Sequence, residues 1–170
     1  LLCVFSMVVP FQMVMFTLSL VADRTGLRTP WGIIIIYLGF GAGLAVFMFC
    51  GFVKSIPIEI EEAAMIDGCT PIRTFFSVVL PIMKPAVAVQ AIFTFVGSWN
   101  NYFVPALIIQ SKSKMTVPIL IATLRGADYM NFDMGKIYMM ITVAIVPIIV
   151  VYLLLSKYII AGVTLGGVKE

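Results

Sequence analysis

The sequence predicts an all-α polytopic membrane protein with four transmembrane helices and a loop carrying two short helices between the second and third. Three observations predict this. Of 170 residues, 62% are hydrophobic and only 11% charged, with a mean hydropathy of +1.13, more apolar surface than one soluble core can bury. Four stretches, about 1–22, 31–53, 86–110 and 137–156, are long enough to cross the hydrocarbon of a bilayer. The interval 54–85 is punctuated by polar residues and has helix start and stop signals of its own.

The first span is free of charge, though Pro10 and Gln12 interrupt it, which is tolerated where neighbouring helices cover the freed backbone. Asp23 to Pro30 forms a short loop with Arg24 and Arg28 as interfacial charges. Trp31, suited to the headgroup level, opens the second span, which runs to about Val53. Gly39, Gly41 and Gly43, with Ala42 and Ala45, form a smooth patch that reads as a packing seam in preference to a gate.

In the loop, Pro57 suits a first helical turn, and Glu59, Glu61 and Glu62 follow where the positive end of the helix dipole favours carboxylates. Gly68 supplies a stop. Thr70 and Pro71 restart a helix as N-cap and first residue, with Ile72, Phe75, Phe76, Val79 and Leu80 on one face, and Pro81 ends it. At about 100° per residue, Ile58, Glu62, Met65 and Ile66 share one stripe of the first helix, while Ala63, Ala64, Asp67 and Ile60 lie on the other side. A carboxylate in an apolar stripe asks for a cationic partner, either Arg73 of this chain or a cation on something docked there.

The third span carries Gly97, Ser98, Trp99, Asn100, Asn101 and Tyr102 near the bilayer midplane, so these groups face other helices or a wet cavity; Pro105 adds a kink. A second polar interval, 111–136, holds Lys112, Lys114, Arg125, Asp128, Asp133 and Lys136. Its apolar piece, Met115 to Leu124, is too short to cross and reads as a surface or re-entrant helix. The fourth span is kinked at Pro147, with Lys157 able to snorkel at its end, and the tail from Ala161 to Glu170 has three glycines and little periodicity.

Several function classes fall away. A net charge of +3, dispersed along the chain, does not suit nucleic acid. Cys3, Cys50 and Cys69 give no disulfide framework, and the absence of histidine removes the usual zinc motifs and histidine-based triads. No glycine-rich loop ends in Gly-Lys-Ser/Thr, so the chain is not expected to bind ATP in the P-loop manner. The expectation is therefore no enzyme, no catalytic residue, no metal and no cofactor. The spans lack Asp, Glu, Lys and Arg between their edges, which argues against proton coupling through them but leaves sodium coupling through carbonyls open. If the chain moves a solute, its energy enters from outside the membrane, and the double helix at 57–80 is the natural entry point.

Glu62-Ala63-Ala64, three residues, Gly68, nine residues and Val78-Val79-Leu80-Pro81 resemble the EAA loop of ABC-importer permeases, with Val78 where isoleucine is usual. The wider stretch SIPIEIEEAAMIDGCTPIRTFFSVVLPIMKPA, together with MVVPF at 7–11, WNNYFVP at 99–105 and the ending GVTLGGVKE, is similar to the maltose-type carbohydrate permeases. Those end in Gly where Glu170 stands. The resemblance covers nearly the whole chain.

The resemblance implies that 1–170 is the permease domain of a binding-protein-dependent importer for a sugar or oligosaccharide, the C-terminal part of a six-span permease. The start at Leu1 within an apolar run fits that expectation. It implies an ATP-binding-cassette ATPase dimer that holds the ATP, a second permease subunit, an extracellular or periplasmic solute-binding protein, and a multi-pass place in the cell (inner or cytoplasmic) membrane. Charge does not orient the spans, with five basic residues on one side against six on the other; the resemblance makes loop 54–85 and the C-terminus cytoplasmic. It assigns ATPase coupling to Glu62 for the charged contact, Ala63 and Ala64 for a close fit, Gly68 for the angle between helices, and Ile58, Met65 and Ile66 for the apolar stripe. The tail at 162–169 resembles a segment that reaches the ATPase pair. Trp99, Asn100, Asn101 and Tyr102 are the candidate solute path, since carboxamides suit sugar hydroxyls and aromatic rings stack on sugar faces. Interhelical hydrogen bonding by the same asparagines stays open. A membrane scaffold and a channel or sodium-driven carrier are the other classes: the first has no need of midplane carboxamides, and the second leaves the Glu62 face without purpose.

Overall fold

The structure, a computed structural model, describes residues 2–126 and 133–167, with side chains described over 5–125 and 133–156. Asp128 and the side chains of Lys157 and the 162–169 tail lie outside the described residues.

Among the described residues the chain is helical, without strands. The first expected span is two helices, α1 (Leu2–Val8) and α2 (Phe11–Arg24), because Pro10 sits in extended backbone between them. Proline lacks the helical donor and pushes the residue before it out of the helical region. After α2 the loop folds back: the Arg28 guanidinium donates to Ser19 Oγ at 2.8 Å and pairs with Asp23 at 3.4 Å. Thr29 then caps α3 (Pro30–Val53), its side-chain oxygen accepting the Gly32 N–H at 3.0 Å. Gly32 is required there, since a Cβ would run into the Leu27 carbonyl.

The core joins α2, α3 and α8 (Phe103–Ile108) through Ala22, Ile33, Ile36, Val104 and the fully buried Ile108. Helix α7 (Lys84–Trp99) packs between α3 and α10 (Met134–Gly167), and α9 (Val117–Gly126) lies on α10. Alone, α3 and Met134–Ser156 of α10 are long and apolar enough to cross a membrane; Pro71–Ile82 and α7 pass that test only together, bent by 68°. The backbone of α10 runs through Pro147 and stays helical to Gly167. Tyr138, Met139, Val143, Leu153 and Leu154 are exposed along it, as for a helix that faces lipid or membrane partners.

The expected span 86–110 is interrupted at Asn100–Tyr102, before Pro105 and not at it. Pro105 falls in the first turn of α8, where a helix needs no donor from it. The glycine patch on α3 also differs from expectation: Gly43 is buried, but a Cβ at Gly39 or Gly41 would meet nothing within 4 Å. Within this chain those two glycines are no packing seam.

Candidate functional site

The 54–85 interval folds as a hinged bracket. Pro57 precedes α4 (Ile58–Ile66) in extended backbone and acts as its N-cap residue, one position earlier than the expected first turn. Beyond Ile66, Gly68 takes φ +82°, a conformation few residues other than glycine adopt. Its N–H donates to the Met65 carbonyl and the Cys69 N–H to the Ala64 carbonyl, both at 3.0 Å, the paired closure that stops a helix and fixes its exit direction. Thr70 caps α5 (Pro71–Thr74), accepting the Arg73 N–H at 3.4 Å.

Pro81 does not end this second helix. A π-helical turn, Phe75–Val79, leads into α6 (Leu80–Ile82), which contains Pro81. The wider turn makes room where a proline ring would otherwise strike the carbonyl four residues back. At Met83 the chain bends by 68° into α7. Of the expected apolar face, Val79 is buried while Ile72, Phe75, Phe76 and Leu80 are exposed.

On α4 the two alanines part. Ala64 is buried against α5 and the π turn, and Ala63 is exposed. Ala64 therefore cannot lie on an outward contact surface; its small side chain serves the approach of α4 to its own chain. The outward side carries Ile58 (61% exposed), Met65 and Ile66 (86% exposed), with Glu62 among them, also exposed. The Glu62–Arg73 pair does not form: the ion pairs among the described residues are Arg28–Asp23 and Lys136–Asp133.

The second candidate group is divided by α7. The Trp99 indole N–H donates to the Ala144 carbonyl at 3.0 Å, and its ring stacks on Phe95 with centroids 5.8 Å apart. Asn100 and Tyr102, with Trp99, line a cleft of about 400 Å³ against α9 and α10 that also includes Arg125. Asn101 turns the other way: its Oδ1 accepts the Val104 N–H at 3.0 Å, starting α8, and it lines a cleft between α3 and α7. In this break between helices the two carboxamides serve different surfaces.

The sequence reading passed over Gln90 and Thr94 and gave Ser98 no role of its own. Their spacing of four puts them in one row of α7, and a polar row in an apolar helix was a usable signal. The Gln90 amide donates to Thr94 Oγ1 at 3.2 Å. Among the described residues, no group of three metal-binding side chains gathers.

The family described as "Binding-protein-dependent transport system inner membrane component" matches residues 1–164. The chain is 35% identical over 99% of its length to the "Multiple sugar-binding transport system permease protein MsmG" of Streptococcus mutans, covering 61% of that protein. It is 35% identical over 99% of its length to an "Arabinooligosaccharides transport system permease protein AraQ" of Halalkalibacterium halodurans, covering 60% of it. It is 32% identical over 97% of its length to the "Probable starch degradation products transport system permease protein AmyC" of Thermoanaerobacterium thermosulfurigenes, covering 60% of it. The chain thus spans about three fifths of the length of these relatives.

Proposed function

Because the chain belongs to the family of binding-protein-dependent transport system inner membrane components, we propose that it serves as a permease subunit of an ATP-driven importer for a sugar or oligosaccharide. The sugar class is carried from the names of the relatives, which speak of starch degradation products, multiple sugars and arabinooligosaccharides. A separate ATPase dimer binds the ATP, a second permease subunit completes the path, and a solute-binding protein outside the membrane delivers the cargo. Loop 54–85 and the C-terminus face the cytoplasm, and the 162–169 tail adds a second reach toward the ATPase.

The observation that carries this reading is the outward side of α4. Ile58, Met65 and Ile66 stand exposed around an unpaired Glu62, on a helix whose exit is fixed at Gly68. An apolar patch centred on a carboxylate suits a groove that is hydrophobic and holds one cation. Ala63, small and exposed, lets the groove close over the helix. Glu62 supplies the charge-assisted contact, and Gly68 sets the angle at which α5 and α6 leave.

The test is co-purification. The full-length permease, expressed with its ATPase, should retain the ATPase in mild detergent, and Ile66→Asp should lose it while inserting normally in the membrane. Retention of the ATPase by Ile66→Asp would sink the coupling assignment.

A further inference from the structure

The elbow between the loop and α7 holds an open apolar cleft of about 510 Å³. Phe49, Cys50 and Val53 at the end of α3 form one wall, and Leu80, Met83 and Val87 around the bend form the other. Lys54 lines the cleft too, at the point where α3 stops. Its ammonium enters no ion pair among the described residues. Nor is that ammonium needed to close α3, because the N–H groups of Lys54, Ser55 and Ile56 already donate to the carbonyls of Cys50, Phe52 and Val53. Lys84, next in the chain after Met83, is a second exposed cation outside any ion pair among the described residues.

We propose that this cleft seats an acyl chain of an anionic phospholipid, with Lys54 holding its phosphate. The inference rests on the permease reading for its membrane setting alone, and on neither the solute nor the direction of insertion. Helix α3 is long and apolar enough to cross a membrane, so Lys54 at its end stands at headgroup level on a flexible stem. From there back to Phe49 the wall runs about 8 Å toward the hydrocarbon, the direction an acyl chain takes below its phosphate. A helix of a second subunit fits this cleft poorly. The lining has no Gly, Ala, Ser or Thr to let a backbone approach closely, and, Lys54 apart, nothing but a thiol to hydrogen-bond across. A flexible chain adapts to such uneven walls. Charge then decides among lipids, since two unpaired cations at the elbow favour an anionic headgroup over a zwitterionic one.

Photolabelling tests the site. The purified full-length permease with its ATPase is reconstituted in phosphatidylcholine vesicles that carry a trace of phosphatidylglycerol or phosphatidylcholine with a diazirine in the acyl chain. After irradiation, peptide mass spectrometry reads the label at 49–54 and 80–87. Phosphatidylglycerol should label these segments more than phosphatidylcholine does. Lys54→Gln should lower that ratio about 5-fold, the weight of one basic residue at an anionic surface, while Lys54→Arg keeps it. Cys50→Phe, which fills the cleft, should lower labelling there by both lipids and leave it unchanged at the exposed Leu153 and Leu154 of α10. Equal labelling by the two lipids in the wild type, or a ratio that Lys54→Gln does not move, would overturn the proposal. Should Lys54→Gln fail to assemble, the wild-type ratio decides. Cleft segments that stay unlabelled while α10 is labelled would show that another subunit covers them, and would overturn it too. Both leaflets carry the same lipids, so a wrong orientation or solute leaves these outcomes unchanged; failure of the wild type to enter the bilayer would sink the permease reading and this inference together.

Discussion

The Trp99 indole N–H and the Ala144 carbonyl, 3.0 Å apart, fasten the last residue of α7 to α10. The acceptor lies one residue beyond the carbonyl that Pro147 leaves without its helical donor. Trp99→Phe keeps an aromatic ring against Phe95 and loses only the hydrogen bond, so it should cost about 0.6 kcal/mol, the mean for such bonds between membrane helices. Trp99→Ala loses the ring contact as well and should cost more. Thermal unfolding of the detergent-solubilised permease measures both; identical midpoints for wild type and Trp99→Phe would show that the bond contributes nothing.

Asn100 and Asn101 should separate in function as they do in space. Asn101→Ala removes the acceptor for the Val104 N–H and should destabilise the protein by about 0.5–2 kcal/mol, with Asn101→Asp restoring most of it. Asn100→Ala touches no such bond and should leave stability unchanged while altering solute preference. An Asn100→Ala protein that is destabilised with unaltered uptake would assign both residues to packing.

Glu62 is exposed in this chain, and under the proposed coupling it is buried when α4 docks on the ATPase. Loss of one partner of a buried ion pair costs about 3–5 kcal/mol, whereas an exposed pair is worth at most about 1 kcal/mol. Glu62→Ala should therefore abolish most ATP-driven uptake, and Glu62→Lys should be worse. Glu59→Ala and Glu61→Ala should be mild, Glu61 being half-buried on the side turned toward its own chain. Wild-type uptake by Glu62→Ala together with a defective Glu61→Ala would place the contact on the other face.

Cys69 follows the Gly68 turn and is partly exposed. In a variant retaining only this cysteine, a membrane-impermeant maleimide should label inside-out vesicles and spare intact cells. The opposite pattern would invert the proposed orientation.

Asp133 precedes α10 and accepts the Lys136 N–H at 3.1 Å while pairing with its ammonium at 3.1 Å. These contacts, the backbone hydrogen bond first, hold its carboxyl below the usual carboxylate value. With a depressed folded value, the stabilisation is present above the unfolded pKa and is lost as pH falls through the folded one. Carbon-detected NMR of labelled aspartate should show Asp133 titrating below the usual carboxylate value, and Lys136→Ala should move it up.

The helical class and the stop at Gly68 were legible because each rests on local chemistry: apolar runs, and a backbone angle that glycine tolerates. The restart at Thr70-Pro71 was legible for the same reason. The interruption of 86–110 at Asn100–Tyr102 was foreshadowed by its polar run, yet Pro105 drew attention away from it. The continuation through Pro81 was hidden, since a π turn leaves no mark on the apolar period. The parting of Ala63 from Ala64 depends on where α5 packs, which the period of α4 alone does not contain. The Gln90 row was written in the spacing, but its clefts exist only once α3 packs beside α7.

The 68° bend at Met83 makes α6 and α7 a bell crank. Helix α7 has 16 residues, which at 1.5 Å each gives an arm about 24 Å long. A push on α4 that turned the bent piece as one by about 10° would sweep the far end of that arm through about 4 Å. That end carries Trp99 and Asn100. A displacement larger than the reach of a hydrogen bond would thus be delivered to the Ala144 tether by a modest rotation two helices away.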